Sequence, residues 1–368
     1  MQMMLFDVTT LYFESVEVDE LRAFGYSKDQ KYHCTQVVLA LATNEDGLPI
    51  GYELFAGNTA EVRTLIECME RWQKSLPADQ DSFVADRALC SDQNLKNLEA
   101  APRNYVVAMP MRRSLNKKEQ AQVLNATLAT PIPLEGESVW VREFDWRGRR
   151  LIVSYSSKRA RKDRADREAI LQRLQAKLNG GKPKVDKVTG EVKPAKANGK
   201  KLISNKGYLR YVGHTDGGGT YVLDQEPIDA DSIWDGLHAI VTNDRTSSAG
   251  ALLAQYRRLW IIEESFRTIK HCLAVRPIYH RKSERIQAHI GLCYLAFALI
   301  RHAQQRVKLA QQAMSVEQLR ATLLSVQTSI LEHIKTGAKY RMPSAFSQDA
   351  SCVYRAFDLS RSLSPSLA

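Results

Sequence analysis

The stretch YRRLWIIEESFRTIK, Tyr256–Lys270, decides the reading of this chain. Ser247 and Ser248 precede it as candidate helix N-caps, and no proline follows until Pro277. Leu259, Ile262, Phe266 and Ile269 recur at helical spacing, which predicts one continuous helix with one face in the core. Tyr256, Trp260, Glu263, Arg267 and Lys270 fall on a second face. Tyr256, Glu263 and Lys270 are seven residues apart, close to two turns, so they stack in one column. An acid between an aromatic and a base suits a phosphodiester. The carboxylate can hold a metal, the bases can hold phosphates, and the aromatics can hold an unstacked base. The same stretch also reads as an ordinary charged surface helix. Glu263 lies at the edge of the apolar stripe, whereas Glu264, about 100° further round, is expected to face solvent.

The chain has 368 residues, 44% hydrophobic and 25% charged, the balance of a soluble globular protein with more than one subdomain. Its 6 cysteines form no CxxC pair and read as reduced thiols of a cytoplasmic protein, not as a zinc site or a disulfide framework. No secretory signal is visible. The apolar run Ile290 to Ile300 is too short to span a bilayer, so no membrane partner is expected and Arg285 to Val307 reads as a buried helix. The net charge is +11 and the sequence pI about 9.3. Lys158 to Arg210 alone holds 17 Lys or Arg against 5 Asp or Glu, which points to a polyanion; a solvated linker is the other reading. Gly180 to Gly199 is poor in apolar residues and reads as a loop.

Taken in order, MMLFDVTTLYFES reads as a strand with Asp7 in its middle, where a carboxylate needs a donor or a metal. Thr35 to Thr43 and Leu48 to Phe55 read as two more strands, giving an antiparallel meander. A helix follows Asn58 and Thr59. Ser82 to Ala85 is a short strand ending at Asp86, and the C-terminal end of a strand is a common place for chemistry in α/β sheets. Ser91 to Ala101 reads as a helix and Asn104 to Met109 as a strand. Beyond residue 110 a hairpin turns at Trp146 to Gly148, Arg161 to Leu178 forms a basic helix, and Tyr208–Val212, Thr220–Leu223 and Trp234–Val241 are short strands. Ser315 and Gln318 suggest a capping box for a helix running to Thr336. The last thirty residues are weakly patterned.

The spacing of Tyr256, Glu263 and Lys270 resembles the Y-(2)-R-(3)-E-(6)-K pattern of DDE transposases of the insertion sequence family four (IS-four) type. Leu259 departs from it, standing where the pattern has arginine. GYSKD (Gly25–Asp29), GYELFAGNTAEVRTL (Gly51–Leu65) and FVADRALCS around Asp86 are also similar to this group. The resemblance implies an α/β fold, a ribonuclease-H-like mixed sheet with flanking helices, interrupted by a β-rich insertion. The expected parts are a catalytic core over 1–109 and 242–336, an insertion over 110–241 with its basic segment 158–210, and a tail over 337–368. It implies Asp7, Asp86 and Glu263 as catalytic metal ligands for Mg²⁺, with Mn²⁺ as a substitute, and hydrolysis at transposon ends followed by strand transfer through a 3′-OH. Tyr256 and Lys270 would contact transposon-end DNA. Arg267 is added from its place in the column, with a structural salt bridge as the alternative, and Arg257 and Arg258 as adjacent bases on other faces. The partner would be double-stranded DNA, with a homodimer assembled on it in the cytoplasm, at the nucleoid. Asp7 lies almost at the start of the chain, so the N-terminal recognition region of such transposases is expected to be missing, as in a shortened copy. Competing readings are a ribonuclease-H-like nuclease without strand transfer and a non-catalytic DNA-binding remnant.

Overall fold

The computed structural model describes residues 3–29, 31–72, 82–100, 103–125, 130–179, 184–185, 192–193, 208–214, 221–310, 313–360, 362 and 364–367. Contacts divide the chain into two units, Met1–Val107 with Gln255–Ala368, and Ala108–Ala254.

The first unit opens with β1 (Met3–Tyr12), β2 (Gln36–Asn44) and β3 (Pro49–Ala56), an antiparallel meander. β1 and β2 are nearly continuous apolar runs and are buried along almost their whole length, as strands covered on both faces should be. Asp7 is the one residue of β1 before Tyr12 that is not fully buried. The β2–β3 turn closes because Asn44 Oδ1 accepts from the backbone of Asp46 and Leu48. A parallel strand needs a crossover. Helix α1 (Glu61–Trp72) supplies it between β3 and β4 (Ser82–Ala85), and α2 (Asp92–Glu99), capped by Ser91, supplies it between β4 and β5 (Tyr105–Ala108). The strand order is β3-β2-β1-β4-β5, with β4 parallel to both β1 and β5. Phe6 joins strands to crossover: its ring lies 6.0 Å from Trp72 of α1 and 5.7 Å from Phe83 of β4. This mixed sheet with flanking helices is the ribonuclease-H-like arrangement.

Two glycines fix the loops at one end of this sheet. A Cβ added to Gly25 would lie 2.1 Å from the Gly57 carbonyl oxygen, and one added to Gly57 would lie 2.0 Å from that of Gln36. Only glycine lets these backbones approach so closely. The Gln36 amide ties them together, donating to the carbonyls of Tyr26 and Gly57.

The second unit contains α3 (Lys117–Leu124), opened by an Asn116–Glu119 capping box, and strands β6 (Thr130–Leu134), β7 (Glu137–Trp146) and β8 (Arg149–Tyr155). The basic helix α4 (Ser157–Asn179) follows, then α5 (Gln225–Ser232) and β9 (Leu237–Thr242). The strands run antiparallel in the order β9-β8-β7-β6. Arg167 of α4 holds both oxygens of Asp235 at 2.5 and 2.6 Å. The strand expected from Trp234 begins only at Leu237, because the chain first turns through Gly236 at φ +80. Tyr208–Val212, expected as a strand, starts with a 3₁₀ turn over Leu209–Tyr211, and its Val212–His214 end pairs with Tyr221–Leu223. Most of the expected loop Gly180 to Gly199 and of the basic segment beyond it, to residue 207, lies outside the described residues.

Helix α6 (Ala249–Arg257) leads back to the first unit. The single helix predicted over Tyr256–Lys270 is broken. After α6 the amides of Arg258, Leu259, Ile261 and Ile262 bond to carbonyls three residues back, a 3₁₀ tightening. α7 (Trp260–Arg267) is regular, and a π turn (Thr268–Cys272) follows it. α7 lies across β1 and β2 with Ile262 and Phe266 buried. Then come α8 (Ser283–Leu309), α9 (Val316–Ser325), β10 (Thr328–Glu332), β11 (Lys339–Pro343) and α10 (Gln348–Ala356). The helix predicted to Thr336 therefore stops at Ser325 and gives way to a hairpin. The weakly patterned end contains α10, which packs on α8 and α9 through Cys352 and Val353. The long apolar helix α8 is not buried all round. Ile290 and Phe297 are buried, but Leu292, Leu295 and Leu299 are exposed, because only one face meets the rest of the unit.

Ile262 is fully buried where α7 meets the sheet. Ile262→Ala should lower unfolding free energy by about 2–5 kcal/mol, read by chemical denaturation. A loss below 0.5 kcal/mol would mean that α7 does not depend on this contact.

Candidate active site

The register of β1 on β4 sets Phe6 beside Ala85. The next residue on each strand is an aspartate, so Asp7 and Asp86 lie on adjoining parallel strands, about 4.8 Å apart in backbone spacing. Asp86 leaves the strand in extended conformation and opens a 3₁₀ turn over Arg87–Leu89. Burial pushes the Asp7 carboxyl up to about 6. The nearby charges of Asp86 and Glu61 push in the same direction; Lys28 and the Val8 amide, which donates at 2.7 Å, act against it.

Lys28 is the cation beside this pair. Its Nζ lies 3.9 Å from Asp7 Oδ1 and 3.0 Å from Glu61 Oε1, and donates to the Val8 carbonyl. Glu61 is the first residue of α1, where a carboxylate also favours the helix dipole. The Tyr256 hydroxyl, at the end of α6, donates to Asp86 Oδ1 at 3.3 Å.

The other expected residues go elsewhere. Glu263 is exposed on α7, and its side chain has no hydrogen bond or ion pair among the described residues. Glu264 does not face solvent as expected: it pairs with the buried Arg301 of α8 at 3.2 Å. The 3₁₀ turns before α7 shift Tyr256 out of the column that an ideal helix would share with Glu263. Lys270 sits in the π turn with its side chain only 9% exposed, and donates to both Asp29 oxygens at 3.4 and 3.3 Å. Burial lowers its pKa. Arg276 pairs with the same carboxylate and lies over the Tyr12 ring, 5.5 Å from its centroid. Leu259, where the sequence pattern has arginine, is buried. Arg258 and Arg267 are exposed, Arg257 partly so; the charge of Arg267 lies near the Glu317 carboxylate.

Asp7 and Asp86 supply hard oxygen donors, and two carboxylates repelling one another on neighbouring strands fit a divalent cation of the Mg²⁺ or Mn²⁺ kind. Among the described residues, no three His, Cys, Asp or Glu side chains gather at one point, so Glu263 does not complete the set in this conformation. Sequence reasoning missed Lys28, Asp29, Glu61 and Arg276. The first three stand inside segments that carried the resemblance, and a charged pair in a loop next to a strand acid was the available signal. A cavity in the second unit, lined by Trp146, Leu115 and Arg142 among others, contains none of these groups.

The raised Asp7 pKa has a stability consequence. The unfolded carboxyl ionises above about 3.8 and the folded one only above about 6, so the folded state binds more protons between them. Stability therefore falls as pH rises through that window. In EDTA, Asp7→Asn should raise unfolding free energy at pH 7.5 by up to about 3 kcal/mol, shrinking to nothing near pH 3.5. A variant melting no higher than wild type at pH 7.5 would remove the argument that burial of the charged Asp7 carboxylate costs stability.

The two glutamates should also differ. Glu264→Gln deprives Arg301 of its carboxylate and should cost about 1–3 kcal/mol of stability, while Glu263→Gln should change it by less than about 0.5. Equal melting curves would reassign them.

Among the described residues, no helix is long and apolar enough to cross a membrane. A family model described as a Transposase DDE domain matches residues 2–299. No curated protein matches the chain.

Proposed function

Because the chain belongs to the Transposase DDE domain family, we propose that it hydrolyses phosphodiester bonds at transposon ends and joins the 3′-OH so formed to target DNA. The observation that carries this reading is the pairing of Asp7 with Asp86 on adjoining strands. DDE transposases are generally dependent on a divalent metal. Within the family, the Tyr256, Glu263 and Lys270 spacing supports the IS-four type.

Asp7 and Asp86 would hold Mg²⁺, or Mn²⁺ in its stead, with Glu263 as the third ligand once α7 and the strand acids close on DNA. The bound metal would supply Lewis acidity at a phosphoryl oxygen and a more acidic water. The chain's own groups do the rest. Tyr256 orients Asp86 through its hydroxyl. Lys28 balances the acids while they face one another. Lys270, with Arg267, Arg257 and Arg258, would hold the backbone of the bound duplex as charge-assisted donors. The basic helix α4, which carries Arg159, Lys162 and Arg173, adds a sequence-independent attraction for DNA. The alternative, a DNA-binding remnant without catalysis, is favoured by Glu263 standing apart from the carboxylate pair.

The test is incubation with duplexes carrying candidate transposon ends cut from the DNA that flanks the gene, with and without Mg²⁺ or Mn²⁺. Metal-dependent nicking is expected, falling to background in Asp7→Asn, Asp86→Asn and Glu263→Gln while each variant still binds DNA. Wild-type binding without any cleavage would favour the remnant. Undiminished cleavage by one variant would remove that residue from the ligand set.

A further inference from the structure

The turn after β1 presents two opposite charges in succession. Lys28 turns onto Asp7 and Glu61, and Asp29 turns the other way onto Lys270 and Arg276. The second contact joins residues 241 positions apart and engages two cations with little exposure, 9% for Lys270 and 13% for Arg276. Both cations are pre-positioned. Lys270 is carried by the π turn, an irregularity frequent at functional sites. Arg276 is steadied on the Tyr12 ring, which Lys31 also approaches at 5.3 Å. Two cations around one carboxylate leave an excess of positive charge at this position.

A phosphodiester carries one negative charge spread over two oxygens on one atom, as a carboxylate does. A Lys and an Arg converging on such a group are the usual donors for either. We propose that Asp29 is an internal stand-in for a DNA phosphate: its carboxylate occupies an anion position between Lys270 and Arg276, and a backbone phosphate of the bound strand displaces it. Arg276 is thereby a second phosphate contact beside Lys270. The position adjoins the acid pair, because the residue preceding Asp29 already touches Asp7. The turn is rooted by the Gly25 and Gly57 packing, so Asp29 can swing out without moving the base of the loop. The inference rests on DNA being the substrate.

The full chain is tested in EDTA with a short fluorescent duplex of random sequence at low salt. An occupied site lowers apparent affinity by the fraction of time it is open, so Asp29→Asn should bind about tenfold more tightly than wild type. It should also melt lower without DNA, because Lys270 and Arg276 lose their partner, and regain that loss when DNA is added. In a Lys270→Met background the Asp29→Asn gain should disappear. Asp29→Ser carries the same expectations if the asparagine variant does not fold. Equal or weaker binding by the Asp29 variant, or a gain that persists without Lys270, overturns the inference while leaving the transposase reading intact. No DNA binding by wild type overturns both.

Discussion

Two carboxylates cannot both stay charged side by side on neighbouring buried strands without a cation near them. Asp7 and Asp86 are in that position because β1 and β4 are parallel and in register at Phe6 and Ala85. Parallel pairing in turn requires the crossover helix α1, and the start of that helix brings in Glu61. The charge problem posed by two strand residues thus reaches the helix, and the turn that carries Lys28. The first unit is organised to tolerate an arrangement that costs stability, which is common where acids are kept for chemistry rather than for packing.

Much of this was legible in the sequence because the local signals were strong. An aspartate in the middle of LFDVTT is out of character for a buried strand, and Asp86 ends a run of four apolar-to-small residues. The meander was readable from two strand-like runs close in sequence, Thr35 to Thr43 and Leu48 to Phe55. Tyr256 was singled out by spacing, and the structure brings its hydroxyl to Asp86. What failed was the assumption of ideal helix geometry over fifteen residues. A 3₁₀ tightening before Trp260 and a π turn at Lys270 change the rotation per residue in opposite senses, and a helical wheel sees neither. Glu264 was misread for a different reason: its partner Arg301 lies 37 positions further on, in a helix whose burial was overestimated from its hydropathy.

Ion pairs such as Lys28 with Glu61 and Asp29 with Lys270 were beyond reach for another reason. They join residues that only the assembled sheet brings together, and nothing in the pattern of a loop says which way each side chain will turn. The same applies to Arg276, which reads as a base before a proline and is in fact stacked on Tyr12. Tertiary electrostatics is the part of a site that sequence periodicity does not encode.

The packing of Gly25 against Gly57 sets how far the chain can drift. With carbonyl oxygens only 2.1 and 2.0 Å from where a methyl would stand, neither position accepts even alanine without the backbones parting. These glycines root the loops bearing Lys28 and Asp29 and lead into the helix bearing Glu61. In a saturation library scored for DNA cleavage, the two positions should be as intolerant as the acids themselves, though neither carries a functional group. Copies of this gene accumulating random substitutions would then lose the site through silent-looking changes at Gly25 or Gly57 as readily as through loss of an aspartate.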